Sequence, residues 1–149
     1  MFDLESKRPE EITINTKKTS VTFNMVEGEV DANLAVGKID GPGEFEIGDV
    51  TVRGIATESG KTIYDVEVGG VHIGIIGDCE EGLDDLGVAD ILCTSSVRAV
   101  REIEPKVVVA TGNVDGMVSE LKLAVRAEKR YKVKNRDGLP LAMEAITLN

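Results

Sequence analysis

From Glu11 to Asp78 the chain is a succession of short extended runs separated by turn residues, and after Asp78 its grammar changes to strand, helix, strand. No other feature constrains the fold as much. EITINT (Glu11 to Thr16) and SVTFNM (Ser20 to Met25) alternate apolar and polar residues around Lys17, Lys18 and Thr19, which predicts a hairpin over 11–25. VEGEVDANLAV (Val26 to Val36) has no clear period and reads as a loop leading into a short strand. Gly41-Pro42-Gly43 and Gly48-Asp49 then bracket EFEI and VTVRGI. The Gly69-Gly70 pair joins TIYDVEV (Thr62 to Val68) to VHIGIIGD (Val71 to Asp78), a hairpin signal in itself. Residues 39–78 are thus expected to form a β-meander.

Beyond Asp78, LDDLGVADILCTSS predicts a short turn or helix and then a buried strand, ADILCT. Ser95 or Ser96 can cap a helix VRAVREI, Pro105 ends it, and KVVVAT is a second continuous apolar run. Two such strands joined by a helix pair in parallel. Asp115 is placed to cap a helix from about Met117 to Glu128, along which Met117, Leu121, Ala124 and Val125 keep helical spacing. This α/β part spans 88–128. YKVKN, an Asp137-Gly138 turn and MEAITLN read as a closing hairpin over 131–149. A chain of 149 residues suits one domain, 1–149, with a core built on Val, Ile and Leu, because there are only three Phe, two Tyr and no Trp.

A net charge of −10 disfavours a phosphate backbone, since such binding is driven by basic side chains releasing counterions. Nucleic acid is therefore not an expected partner. The basic run Arg126, Lys129, Arg130, Lys132, Lys134 and Arg136 reads as a solvated helix end and strand face. MFDLESKRPEEITI lacks the apolar segment of a signal peptide, and nothing approaches the ~18 apolar residues of a membrane helix, so no membrane association and a cytoplasmic location are expected. Cys79 and Cys93 have neither a CxxC spacing nor a secretory context and are expected as free buried thiols.

The chemistry is bounded by a single histidine, His72. A catalytic zinc centre needs two or three imidazoles, usually with a carboxylate, converging on one ion. In an extended strand His72 and Asp78 stand roughly 20 Å apart, six residues at ~3.3 Å each, and cannot share a metal. His72 reads instead as a half-exposed strand residue. Glu80, Glu81, Asp84 and Asp85 crowd after Asp78, but without the spacing of a calcium loop they read as solvated acids at a helix start. Cys79 has no histidine to serve as base, so it reads as an inert thiol. Gly60-Lys61-Thr62 looks like the end of a phosphate-binding loop, yet Ile55 stands where that loop needs glycine and a strand follows. Gly41-Pro42-Gly43 reads as a tight turn.

Four passages together resemble the small lactonase-like branch of the metallo-β-lactamase-fold hydrolases. They are DGPGEFEIGDVTVRGI (Asp40 to Ile55), GKTIYDVEVGGVHIGIIGD (Gly60 to Asp78), VADILCTSSVRAVREIEPKVVVATG (Val88 to Gly112) and RDGLPLAMEAITLN. The resemblance covers about Ile39 to Asn149. It implies an α/β architecture, a truncated metallo-β-lactamase-like α+β sandwich with helices on its outer faces and metal ligands along one edge. The family's first ligand cluster is an HxHxDH loop; the corresponding Asn24 to Lys38 contains no histidine and reads as shortened. The family's next histidine falls near Ser59 of ATESG, its bridging aspartate at Asp78, and its last histidine at Gly112-Asn113.

Asp78 is then the only candidate metal ligand left, and no catalytic residue is assigned. The leading expectation is a non-catalytic, metal-free protein without a cofactor, a pseudoenzyme serving as a binding or assembly module and self-associating, most simply as a dimer. One alternative is a hydrolase of phosphoesters or lactones whose metal ligands are completed by a partner chain. Another is a small-ligand protein whose vestigial cleft is lined by Ser59, Asp78, Thr111 and Asn113.

Overall fold

The computed structural model describes residues 1–26, 29–32 and 38–149, with side chains described for 1–26 and 41–149. Fourteen strands and three helices follow one another among the described residues. The first five strands are β1 (Phe2–Glu5), β2 (Glu11–Thr16), β3 (Ser20–Asn24), β4 (Glu29–Ala32) and β5 (Lys38–Asp40). The meander follows as β6 (Gly43–Ile47), β7 (Val50–Ala56), β8 (Thr62–Val68) and β9 (Val71–Gly77). The mixed part contains α1 (Leu83–Leu86), β10 (Ile91–Thr94), α2 (Val97–Ile103), β11 (Val107–Ala110), α3 (Val114–Leu121), β12 (Val125–Glu128), β13 (Tyr131–Val133) and β14 (Glu144–Leu148).

Two sheets result. One is antiparallel, in the order β13-β1-β2-β3-β4-β5; the other is mixed, in the order β12-β14-β11-β10-β9-β8-β7-β6. Strands β9, β10, β11, β14 and β12 run parallel, while β6 to β9 form the antiparallel meander.

Alternation explains how the two sheets stack. Leu4, Ile12, Ile14, Val21 and Phe23 of the first sheet face Tyr64, Val66, Ile73, Ile91 and Val109 of the second in one buried cluster. The Phe23 and Tyr64 rings lie 5.5 Å apart at its centre, which answers the scarcity of aromatics with one interlocking pair. The opposite face of the larger sheet buries Ile63, Ile76, Leu92 and Val108 against Leu83, Leu86, Val100 and Met117 of the helices. Strands covered on both faces must be apolar at every position, which is why ILCT and VVVA show no alternation. Gly74 permits the close approach of α1: a Cβ there would meet Leu92 Cδ1 at 2.9 Å and Leu86 Cδ2 at 3.0 Å.

All three described helices therefore lie on one outer face. The outer face of the smaller sheet is a polar lattice. Asn15 Nδ2 donates to Asp3 Oδ1 at 2.9 Å and to Glu5, Ser20 Oγ donates to Asn15, and Thr13 and Thr22 share a 2.8 Å hydroxyl bond.

Three expectations are corrected. The closing hairpin over 131–149 does not form: β13 pairs with β1 in the smaller sheet, whereas β14 inserts in parallel between β11 and β12 in the larger. The helix expected to reach Glu128 ends at Leu121, because Lys122 turns left-handed (φ 58°) and Val125–Glu128 gains more by pairing with β14 as an edge strand. Asp115 does not cap that helix; the cap position is Asn113, itself left-handed and without a side-chain capping bond. In the stretch from Val26 to Val36, expected as a loop leading into a short strand, β4 pairs with β3; residues 27, 28 and 33–36 lie outside the described residues.

Candidate functional site

The C-terminal ends of the parallel strands β9, β10 and β11 are knit into one level edge. Gly77 ends β9 in a left-handed conformation (φ 59°), and its carbonyl accepts from Thr94 Oγ1 at 2.7 Å and from Ser95 N at 3.0 Å. Thr94 in turn accepts from Ser96 N through Oγ1 (2.9 Å) and from Thr111 N through its carbonyl (3.1 Å). Asn113 Nδ2 donates to Ser95 O at 3.2 Å, tying the start of α3 to the same rim. Residues that follow these strands are thereby fixed side by side.

Asp78 is one of them. Its carboxylate accepts from Lys61 Nζ at 2.7 Å. The Lys61 hydrogen bond, then its charge, holds Asp78 below the usual carboxylate range, and the same bond raises the Lys61 ammonium. Lys61 is steadied by a turn in which its carbonyl accepts from Thr57 Oγ1 (2.6 Å) and Thr57 N (3.0 Å).

A cavity of about 310 Å³ opens here, lined by Lys61, Asp78, Ser95 and Thr111 from the larger sheet and by Glu10 and Met25 from the smaller. Asp78 and Thr111 thus share one cavity. Ser59 does not line it; its hydroxyl lies 3.3 Å from Thr57 Oγ1 in the preceding turn. Asn113 also stays outside, occupied with Ser95. Lys61, Ser95 and the contribution of the smaller sheet were not singled out in the sequence as parts of a site. For Lys61 a signal exists: the Gly-Gly hairpin pairs Glu67 with His72 and Tyr64 with Ile75, and the same register continued sets Lys61 against Asp78.

The remaining candidates lie elsewhere. His72 is half-exposed, its Nδ1 3.3 Å from Asp65 Oδ1, and Asp65 also takes Arg53 at 3.1 Å. Cys79 and Cys93 are free and buried, and burial pushes the Cys93 thiol up to about 12. Glu80 accepts from Ser96 Oγ, and with Glu81, Asp84 and Asp85 it lines a separate groove on the helix side.

The donor set does not fit a zinc ion. Among the described residues no three His, Cys, Asp or Glu side chains are placed to hold a metal, and the ammonium of Lys61 already neutralises Asp78. No helix among the described residues is long and apolar enough to cross a membrane.

No protein family matches the chain by sequence profile, and no curated protein matches it. Its fold does have a solved counterpart. A crystal structure from Thermotoga maritima, whose description assigns it to the Zn-dependent hydrolases of the metallo-β-lactamase superfamily, superposes with a TM-score of 0.72 at 13% identity. The match covers 99% of this chain and 98% of that one. The fold is therefore a metallo-β-lactamase-like α+β sandwich, and against this neighbour the two chains correspond almost end to end, with no shortening.

Proposed function

We propose that this chain is a metal-free, non-catalytic protein of metallo-β-lactamase-like fold that works as a binding or assembly module. The observation that carries the reading is the Lys61–Asp78 contact of 2.7 Å. A metal-bridging carboxylate has its lone pairs directed at the ion, whereas this one is engaged by an ammonium, and no imidazole stands near it. Asp78 alone cannot lower a bound water's pKa toward neutrality, as hydrolysis on zinc requires. The open edge cavity between the sheets suits binding, and β6 and β12, which each pair on one side only among the described residues, suit self-association as a twofold dimer.

Elemental analysis of untagged protein, before and after incubation with Zn²⁺, Mn²⁺ and Fe²⁺ and desalting, tests the first part. Substoichiometric metal throughout is expected; near one ion per chain overturns the reading. For assembly, a native mass of two chains at micromolar concentration is expected, and a strictly monomeric mass removes that part.

A second reading rests on the description of the Thermotoga maritima neighbour as a Zn-dependent hydrolase. In it, a partner chain completes the ligand set around Asp78 and a lactone or phosphoester is hydrolysed. Asp78→Ala would then abolish both metal retention and turnover. No effect on either ends this reading.

A further inference from the structure

A larger cleft adjoins the Asp78 cavity and shares Pro9 and Thr111 with it, and we propose that it binds an aliphatic monocarboxylate. The proposal rests on the reading of this edge as a binding surface and names the ligand class. The cleft measures about 460 Å³, within the roughly 300–1,000 Å³ of small-molecule sites. Both sheets build it. Ile12 of β2, Val109 and Ala110 of β11 and Leu148 of β14 supply aliphatic surface, and no aromatic ring lines it.

Its charge is concentrated on the connection between β1 and β2, where Lys7 and Arg8 line the cleft. Both are exposed, and neither makes an ion pair or side-chain hydrogen bond among the described residues. Lys17, Lys18 and Lys132 likewise face no carboxylate among the described residues; what sets Lys7 and Arg8 apart is that they line a cleft with aliphatic walls. In a chain of net charge −10, two adjacent unpartnered cations over an apolar floor complement one anionic head on an apolar body.

The remaining polar groups narrow the class. Ser6 Oγ lies 2.6 Å from Arg8 O and 2.8 Å from Glu11 O, so this hydroxyl secures the backbone that carries the two cations. A phosphate cradle needs convergent backbone N–H groups, whereas the backbone groups gathered around Ser6 Oγ are the carbonyls of Arg8 and, from β2, Glu11. Two long cationic side chains without such a nest favour a singly charged carboxylate over a phosphorylated sugar. The absence of any ring favours a flexible aliphatic body over a stacked aromatic one.

Decanoate, decanol and decylamine, each below its micellar concentration, titrated into the full chain test the assignment by melting temperature and by calorimetry. Decanoate is expected to raise the melting temperature, because a ligand selective for the folded state stabilises it. Decanol should bind about tenfold more weakly, the factor of one charge-assisted contact, and decylamine should not bind. The double substitution Lys7→Glu/Arg8→Glu should remove the preference for decanoate while leaving the ligand-free melting temperature unchanged. Val114 lines the mouth and is 36% exposed, so Val114→Trp should block decanoate without unfolding the chain, checked by circular dichroism.

Equal binding of decanoate and decanol, or undiminished binding to either variant, overturns the assignment. Metal content measured on the same samples keeps the two readings apart. Stoichiometric metal overturns the metal-free reading whatever the cleft binds, and lack of carboxylate selectivity in metal-free protein overturns the cleft assignment alone.

Discussion

Lys61 and Asp78 stand opposite each other at the open end of the Gly69-Gly70 hairpin, Nζ to Oδ1 at 2.7 Å, where β9 delivers its carboxylate to the sheet edge. Both side chains are largely exposed, 45% and 75%, so the pair contributes under about 1 kcal/mol to stability. Its consequence is electrostatic: the carboxylate that the resemblance assigns to a metal carries its own counter-ion.

Asp78→Asn should therefore lower the melting temperature only slightly at pH 7. Asp78 is depressed in the folded state, so its contribution is present above the ordinary 3.8 and fades as pH falls through the lower folded value. Lys61 is raised, so its share is complete below 10.5 and fades above that. Thermal unfolding of both proteins across pH should show a difference that is flat through neutrality and closes as the pH falls through the lowered folded-state value of Asp78. A gap persisting below it would mean that packing, not charge, links the two residues.

Asp90 has the opposite character. It is 2% exposed; Oδ2 accepts from His72 N at 2.9 Å and Oδ1 from Arg136 Nε at 3.3 Å. Asp90→Ala strands a backbone amide and should lower the unfolding free energy by about 1–3 kcal/mol in urea titrations. Asp90→Asn, which can still accept from the amide, should lose less.

Ser96 caps α2 by accepting from Ala99 N at 3.0 Å and also donates to Glu80. Ser96→Ala should cost about 0.5–2 kcal/mol, read as a lower melting temperature, and Ser96→Asp should not restore it, because a second carboxylate would face Glu80.

Cys93 lies in β10 at 0% exposure, and burial raises its thiol to about 12. A thiol so raised is protonated at pH 8 and shielded from reagent. Titration with a disulfide reagent should leave Cys93 unmodified in the folded protein and modify it on addition of denaturant, as followed by mass spectrometry of the peptide that contains it.

Legibility varied with the range of the forces involved. The β2–β3 and β8–β9 hairpins could be read because turn and alternation lie within a few residues of one another. The cap of α2 could be narrowed to Ser95 or Ser96 for the same reason, and the structure places Ser96 there. β1 was missed because FDLE is only four residues long and is a strand by virtue of its partners β2 and β13. The helical spacing of Leu121 to Val125 was real, yet edge pairing with β14 outweighed it, since weak helix propensity yields to tertiary hydrogen bonding. Of the four proposed lining residues, Asp78 and Thr111 meet in one cavity, while Ser59 lies against Thr57 in its own turn and Asn113 is drawn off to the Ser95 carbonyl.

The sequence by itself determined the β-meander, the parallel strands after it and the lack of a histidine ligand set. Each of these follows from local periodicity or from residue identity, and neither depends on what packs against what. Tertiary structure alone decided that β13 and β14 part company into different sheets, that β1 exists, and that Lys7 and Arg8 overhang a cleft floored by β11 and β14. Those outcomes turn on which distant backbone offers unpaired hydrogen-bonding groups and which apolar face remains to be covered, and neither is written in any short window of the chain.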